Sequence, residues 1–272
     1  REGLTISEGQ HFEIVNPQND TRYRDYWQSY FDVMSRKGVT PDLAKAILRT
    51  NSTAIAATMV HRGEADSMVC GTLGQYHWHL NYITQMLAND DLKPAGAMSL
   101  LLVERGPLFV ADTHVNIEPT GQQLANTMIA AARHVRRFGV EPKLALCSGS
   151  QFGNLESRSG RVAREALAIL DAQGLDFEYE GEMNTDAALD SELRARLMPE
   201  NRLTGAANVL IYTNTDAAGA ARNLLKTVGD GIEVGPILMG MGNRAHIVTP
   251  GVTVRGLLNI AALAGTPVSS YG

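Results

Sequence analysis

Short apolar runs alternate with longer amphipathic stretches along most of this chain. Residues 67–71, 144–147, 209–212 and 237–239 form four such runs, and each leads into a loop containing glycine or polar residues. After the second and third runs, apolar residues recur at helical spacing. The repetition of strand, loop and helix predicts an α/β fold with largely parallel sheets.

The helical stretches carry start and stop signals. Tyr26 and Tyr30 fall on one face of a helix predicted over residues 23–36. Thr40 followed by Pro41 predicts the N-cap and the first residue of the next helix. These signals place two short helices in succession before the first long loop.

Other stretches predict a hairpin, a long helix and a short strand. Apolar runs at residues 97–103 and 108–111 flank a glycine turn and predict a β-hairpin. A strand is predicted at residues 12–15, and a long helix starts at Pro119. Cations are favoured near a helix C-terminus, so the basic residues of its last turns are interpreted as a solvated face. They are Arg133, His134, Arg136 and Arg137.

Composition narrows the class of protein. The chain has 272 residues, of which 44% are hydrophobic and 19% charged, which is typical of a globular domain. No apolar run reaches the roughly 18 residues of a membrane helix, and no signal peptide is recognisable in these residues. The net charge of -5 argues against nucleic acid as a partner. Cys70 and Cys147 lack a C-x-x-C spacing and predict reduced cysteines of a cytoplasmic protein without a membrane partner.

One loop has the composition of an anion site. Residues 148–153 follow a predicted strand and precede a predicted helix, where hydroxyls, backbone N–H groups and a helix N-terminus suit a negative ligand. An ordinary polar connection is the alternative. Arg158, Arg161 and Arg164 recur just beyond the loop. They either meet phosphates or form a solvated helix face.

Three other patterns give weaker evidence for a functional site. Residues 240–245 fit G-x-G-x-x-A, but the tract runs into a predicted strand rather than a helix, which excludes a nicotinamide site. His77 and His79 have the spacing of one strand face, yet no third ligand is recognisable, so no metal site is predicted. Asp112 and His114 are interpreted as a structural contact. A helix start is predicted around Asp186.

Residues 240–256 resemble the active-site tract of phosphotransacetylases. Five more tracts, such as Phe109-Val110-Ala111-Asp112 and Gly235-Pro236-Ile237-Leu238, match phosphate acetyl/butyryl transferases in order over nearly the whole chain. Others, including residues 12–17 and 245–250, resemble one branch. That branch is the phosphotransacetylase-like C-terminal domain of hybrid NADP-dependent malic enzymes.

The resemblance implies an architecture and partners. It implies two α/β/α subdomains with a cleft between them, a phosphotransacetylase-like and isocitrate/isopropylmalate-dehydrogenase-like arrangement. Residues 1–91 with 241–272 would form the first subdomain, whose N-terminal part is missing, and residues 92–240 the second. Residues 89–94 are the expected crossing, and Arg1 to Leu4 read as the interior of a longer polypeptide. A homo-oligomer, dimer or higher, is expected.

The resemblance also implies the ligand. It is acetyl-CoA or a related acyl-CoA, while NADP and a divalent metal are expected only in a malic enzyme domain of the same polypeptide. The expected ligand surface joins strand-end loops, by family geometry and because ligands bind at the carboxyl ends of parallel strands. Its residues are Ser148, Ser150, Gln151, Phe152, Asn214, Asp216, Met241 and Thr249.

The departures from the family bear on activity. Two transferase arginines align with Met34 and Asn81, the Ser-Arg pair becomes Thr249-Pro250, and the catalytic Asp becomes Gly256. Losing a positioned base typically costs about 10²–10⁴-fold in rate. The sequence therefore predicts a catalytically degenerate domain that binds acetyl-CoA, controls the malic enzyme domain and supports oligomerisation.

Two alternatives stay open. The first is an active phosphate acetyltransferase, in which Thr249 polarises a carbonyl and His246 or Asp216 serves as base. The second is a purely structural oligomerisation domain with an empty cleft.

Overall fold

The computed structural model describes residues 5–266. The prediction made for Arg1 to Leu4 lies outside the described residues, as do residues 267–272 of the predicted first subdomain. Within residues 5–266, no helix combines the length and the hydropathy needed to cross a membrane.

Helices and strands alternate through most of the chain. The helices are α1 (Tyr23–Met34), α2 (Pro41–Thr50), α3 (Ser52–His61), α4 (Tyr76–Leu87), α5 (Gly121–Arg136), α6 (Arg158–Asp171), α7 (Thr185–Leu189), α8 (Ser191–Leu197), α9 (Thr215–Thr227) and α10 (Val254–Ala264). The strands are β1 (Met68–Cys70), β2 (Gly96–Val103), β3 (Gly106–Ala111), β4 (Lys143–Cys147), β5 (Glu178–Met183), β6 (Val209–Tyr212), β7 (Ile232–Met239) and β8 (Ala245–Ile247).

Residues 5–266 form two sheets. The larger has six strands in the order β5-β4-β6-β3-β2-β7, and the smaller pairs β1 with β8 in parallel. The pairs β3–β6, β6–β4 and β4–β5 are parallel, while β2 is antiparallel to both of its neighbours. The predicted α/β class with largely parallel sheets and the predicted β2–β3 hairpin are confirmed.

Local signals set several helix boundaries as predicted. The Thr40 hydroxyl accepts a hydrogen bond from the Leu43 N–H at 3.2 Å, and Pro41 is the first helical residue. The predicted long helix begins slightly later than Pro119, because Thr120 and Gln123 form a capping box. The helix predicted around Asp186 is the short α7.

Separate apolar cores lie on the helical layer and on the large sheet. Tyr26, Tyr30 and Met34 of α1 pack with the apolar faces of α2–α4 and with β1 and β8. The core of the large sheet packs α5 and α6 against β2–β4, and it also takes in Val248 and Ile260. Residues after β7 therefore contribute to both cores, and the division at residues 91 and 240 stays a prediction.

Two local predictions were wrong. Residues 12–15 form no strand, since only Phe12 makes an isolated bridge, to Glu8. His77 and His79 lie on helix α4, where neighbours two apart point to different faces. His79 is buried and bonds to Thr53 and to the Leu73 carbonyl. Over residues 5–266, no group of three or more His, Cys, Asp or Glu is placed to hold a metal.

Other predictions agree with the structure. Residues 240–245 lead into strand β8 rather than a helix, as predicted. Cys70 and Cys147 end strands β1 and β4, and both are free thiols.

Candidate functional site

The predicted ligand loops meet at one edge of the large sheet. β4 and β6 are neighbours with Cys147 opposite Tyr212, so residues 148–152 and 214–216 leave the sheet side by side at its carboxyl edge. Asn184, after β5, leaves at the same edge. The structure thus brings six of the eight predicted ligand residues to one edge.

The loop after β4 uses many of its polar groups on itself. The Ser148 hydroxyl donates to the Ser159 hydroxyl and accepts from the Ser150 N–H, both at 3.1 Å. Ser150 is fully buried, and its hydroxyl accepts from the Leu155 N–H at 3.3 Å. The Ser150 hydroxyl therefore holds the loop together, and a ligand contact by Ser150 stays a prediction. Phe152 adopts a left-handed conformation with φ of 49°.

Buried polar atoms without partners lie beneath this loop. Gln151 accepts a hydrogen bond from the Asn184 side chain at 3.1 Å, but its Nε2 atom has no partner among the described residues. The same holds for Oε2 of Glu182, whose Oε1 accepts from the Arg164 guanidinium at 2.7 Å and from the Gly153 N–H. Buried polar atoms of this kind are usually satisfied by water or a ligand.

The arginines of α6 are already paired. Arg158 lies 3.2 Å from Glu118, Arg161 lies 2.8 Å from Glu156, and Arg164 bridges Glu156 and Glu182. Because carboxylates of the same chain already pair with these arginines, little positive charge is left to attract phosphates. The alternative of a solvated, internally paired face describes them better.

The loop after β6 contributes one used and one unused group. The Asn214 side chain caps α9 by accepting from the Ala217 N–H at 2.8 Å. Asp216 lies exposed in the first turn of the same helix. Of the two, Asp216 is the side chain left open to a ligand.

A cavity lies between the start of β7 and the N-terminus of α10; we call it the α10 cavity. It has a volume of about 280 Å³ and is lined by Thr249, a predicted ligand residue, and by Gly256, which the resemblance aligned with the transferase Asp. The remaining lining residues come from the end of α9, from β7 and the residue before it, and from the first turn of α10 and the two residues before it: Lys226, Gly231, Ile232, Glu233, Gly235, Val252, Thr253 and Arg255.

Glu233 is the centre of an ion network at this cavity. Its side chain is only 7% exposed. Arg222 Nη2 lies 2.9 Å from one carboxylate oxygen, Lys226 Nζ 3.1 Å from the same atom, and the Ser99 hydroxyl donates to the other at 2.9 Å. Burial opposes ionisation of Glu233, but its hydrogen bonds to these groups and their charge outweigh burial and lower its pKa.

The other predicted site residues lie apart from the α10 cavity. Met241 and Met34 are buried in the core of the helical layer, and a ligand contact by Met241 stays a prediction. Asn81 is exposed on α4, and Pro250 is exposed next to Thr249. His246 is fully buried, with Nε2 2.7 Å from Asn243 Oδ1, so it cannot reach a ligand as the base of the active alternative.

The side chains of the Asp112–His114 segment make structural contacts: Asp112 binds backbone N–H groups, and His114 makes one aromatic contact. The Asp112 carboxylate accepts from the backbone N–H groups of Ala97, His114, Val115 and Asn116 at 2.7–3.0 Å. His114 stacks on Tyr76 with ring centroids 4.6 Å apart. Burial, then the charge of Arg222, lowers the pKa of His114 to about 4, so this imidazole is neutral near pH 7.

The sequence reasoning missed the Glu233 network and the buried Glu182. Glu233 interrupts the apolar strand Ile232–Met239, and an acidic residue inside such a run is the signal that could have singled it out. Nothing local to Glu233 identifies Arg222 or Ser99 as its partners, because they come from other elements.

Comparison with known proteins gives consistent relatives. Residues 1–265 match the model of the phosphate acetyl/butaryl transferase family. The chain is 44% identical over 265 residues to an NAD-dependent malic enzyme of Rhizobium meliloti, covering 97% of this chain and 34% of that protein. It is 45% identical over 264 residues to an NADP-dependent malic enzyme of Salmonella typhimurium, covering 96% of this chain and 35% of that one. The chain thus spans about a third of the length of these relatives.

Phosphate acetyltransferases are also similar. One from Corynebacterium glutamicum is 30% identical over 253 residues, which cover 92% of this chain and 76% of that enzyme. A solved phosphotransacetylase from Streptococcus pyogenes superposes with a TM-score of 0.85 at 23% identity, covering 94% of this chain and 78% of that one. At that identity the likeness shows the fold, and the predicted phosphotransacetylase-like fold is confirmed.

Proposed function

The chain belongs to the phosphate acetyl/butaryl transferase family, and we propose that it acts as a regulatory acyl-CoA-binding domain rather than as a working transferase. Its ligand is acetyl-CoA or a related acyl-CoA. Its partner is a malic enzyme domain on the same polypeptide, which the 44–45% identity to malic enzymes over about a third of their length supports. The domain also supports assembly into a dimer or higher oligomer.

One observation carries the loss of turnover: the carboxylate beside Gly256 is already neutralised. Glu233 is the single acid among the described residues that line the α10 cavity, and Arg222, Lys226 and Ser99 hold it. Transfer requires a base that takes the proton from the CoA thiol. A carboxylate with a lowered pKa is a poorer proton acceptor, so Glu233 does not replace the missing Asp.

The groups that remain suit binding. Arg255 lines the α10 cavity in the first turn of α10, whose N-terminus favours anions. The Thr253 hydroxyl accepts from the Gly256 N–H at 3.0 Å, and Thr249 adds a second polar side chain. The CoA part of an acyl-CoA carries phosphates that can pair with Arg255 and amides that can bond to the hydroxyls of Thr249 and Thr253. Binding therefore depends on groups that this chain retains.

Regulation adds a thermodynamic requirement. An acyl-CoA can shift a malic enzyme domain only if it binds two arrangements of the polypeptide with unequal affinity. A cleft whose residues come from several elements meets that requirement when those elements move relative to one another. Tight binding to a single arrangement changes no equilibrium.

Calorimetric titration of acetyl-CoA into the 272-residue chain in phosphate buffer tests the proposal. We expect a saturable heat that ends after each injection. The Arg255→Gln variant should bind at least about tenfold more weakly, because a charge-assisted contact is lost. Arg196→Gln, an exposed arginine on α8, is the matched control and should bind like the unaltered chain.

The alternatives predict different heats. An active transferase is the second candidate, favoured by the 30% identity to the Corynebacterium glutamicum phosphate acetyltransferase over 76% of its length. It predicts sustained heat after each injection in phosphate buffer and formation of acetyl phosphate in the calorimeter sample. Either result would contradict the regulatory proposal. The absence of any heat would leave a structural oligomerisation domain.

A further inference from the structure

A second cavity lies on the opposite edge of the large sheet from the ligand loops. We call it the α5 cavity. It has a volume of about 390 Å³ and lies between the last turns of α5 and the segment that precedes β5. Its lining residues are Ile129, Ala132, Arg133, Arg136, Arg137, Leu175, Asp176 and Phe177. These segments lead into the amino ends of β4 and β5, away from the loops that follow those strands, and the α5 cavity shares no described lining residue with the α10 cavity.

The three arginines of the α5 cavity differ in their partners. Arg136 is neutralised: its guanidinium lies 2.9 Å from Asp176 Oδ2 and 2.9 Å from Glu141 Oε1. Arg137 contacts only neutral oxygens within residues 5–266, Asn243 Oδ1 at 3.4 Å and Thr266 Oγ1 at 3.3 Å. Arg133 is exposed and makes no ion pair with any described residue. Two positive charges are therefore left without a described counter-charge.

Arg137 is the more informative of the two. Burial lowers the pKa of Arg137, which means that its charged form has lost part of its hydration. Its two contacts are long and neutral, so they replace that hydration poorly. An anion that reaches this guanidinium would gain a charge-assisted hydrogen bond in a partly dehydrated place.

The geometry of α5 brings the two uncompensated cations together. Arg133 and Arg137 are four residues apart, with Arg137 at the C-cap in helical conformation, so they lie one turn apart on one face. The floor beside them is apolar: Ile129, Leu175 and Phe177 all pack against the core of the large sheet. A ligand held there meets two guanidinium groups and an apolar surface.

We infer that the α5 cavity binds a small dianion with an apolar body, a phosphate monoester or a dicarboxylate. Two charges on the ligand match the two uncompensated guanidinium groups, and the apolar body covers the floor. The helix dipole also favours cations at the end of α5. The dipole alone does not account for the enclosing apolar walls or for the burial of Arg137.

Calorimetry with simple probes tests the inference on the 272-residue chain. Phenyl phosphate and succinate represent the two kinds of dianion, and phenol and sulfate carry only the ring or only the charge. We expect one of the two dianions to bind saturably with one site per chain, more tightly than phenol or sulfate. Tighter binding of phenyl phosphate identifies a phosphate ester as the ligand class, and tighter binding of succinate identifies a dicarboxylate.

Variants assign the binding to the α5 cavity. Arg133→Gln and Arg137→Gln should each weaken the dianion at least about tenfold. Arg24→Gln, another exposed arginine without an ion pair among the described residues, is the matched control and should leave the affinity unchanged. Because Arg133 is exposed, its variant keeps the test valid even if Arg137→Gln unfolds. Acetyl-CoA should bind Arg133→Gln as it binds the unaltered chain.

Three outcomes would overturn the inference. They are no saturable binding of either dianion at millimolar concentration, equal binding of sulfate, and equal weakening by Arg24→Gln. Any of them means that the arginines of α5 serve the helix end and the surface alone.

Discussion

The α10 cavity and the α5 cavity are both lined by basic side chains, but they differ in what neutralises those charges. In the α10 cavity, Glu233 is enclosed by Arg222, Lys226 and Ser99 and forms an internal ion network. In the α5 cavity, Arg137 has only neutral partners among residues 5–266. A count of cations therefore does not identify an anion site. What matters is whether a cation is left without a carboxylate of the described chain, as Arg137 is in the α5 cavity and Arg255 is in the α10 cavity beside the Glu233 network.

The largest expected effect comes from removing that carboxylate. Glu233→Ala leaves Arg222 nearly buried and unpaired, and breaking a buried pair typically costs about 3–5 kcal/mol. We expect the free energy of unfolding in urea to fall by that amount. The exposed Glu104→Ala serves as the control, with a change within about 0.5 kcal/mol. A loss below about 1 kcal/mol for Glu233→Ala would mean that the network adds little.

The second-largest expected effect is a pH dependence of the stability, which comes from buried histidines near the two cavities. Burial and, to a lesser extent, the charge of a nearby arginine together lower the pKa of His114, His134 and His246 from 6.5 to about 4; the arginine is Arg222 for His114 and Arg137 for the other two. The unfolded chain binds these protons more readily than the folded chain. The stabilisation is therefore complete above pH 6.5 and is lost as the pH falls towards 4.

Each such histidine contributes up to about 1.4 kcal/mol per pH unit within that window. We expect urea midpoints to decrease steeply between pH 6.5 and 4 and the slope to be smaller in His134→Leu. The exposed His61→Gln should keep the slope of the unaltered chain. An unchanged slope in His134→Leu contradicts the assignment of this histidine.

The smallest effect compares neighbouring arginines of the α5 cavity. Arg136→Gln loses its pairs with Asp176 and Glu141 and should lower the free energy of unfolding by about 0.5–1 kcal/mol, since the pairs are partly exposed. Arg137→Gln removes a charge without a described counter-charge and should lower it by less, or raise it. Thermal or urea unfolding of both variants checks the order. The opposite order would show that Arg137 is paired more strongly than its described contacts indicate.

Several elements could be predicted from neighbouring residues alone. The apolar run at β6 is observed with the bounds predicted, and Thr40 with Pro41 begins α2 as predicted. Helix α4 was missed around His77 and His79 because two aromatic-flanked histidines at strand spacing suggested a strand. Its apolar residues Leu80, Ile83 and Leu87 follow helical spacing and are buried together.

The candidate site was less accessible to sequence reasoning. Strand ends were correctly expected to bring residues 148–152 and 214–216 together, since loops after neighbouring parallel strands share an edge. Ser150 and Met241 were expected at the ligand but are buried, one in the loop's own hydrogen bonds and the other in a core. Which side of a polar or apolar residue faces a ligand depends on the packing of distant elements.

The sequence by itself determined the family, the α/β class and most of the strands and helices. These follow from backbone preferences and motifs that act within a few residues. Only the tertiary structure decided which charges are neutralised. Glu233 meets Ser99 across 134 residues, while Arg137 meets no described carboxylate. The physical reason is that the balance of an ion pair depends on contact and on loss of water, and folding sets both between segments far apart in the chain.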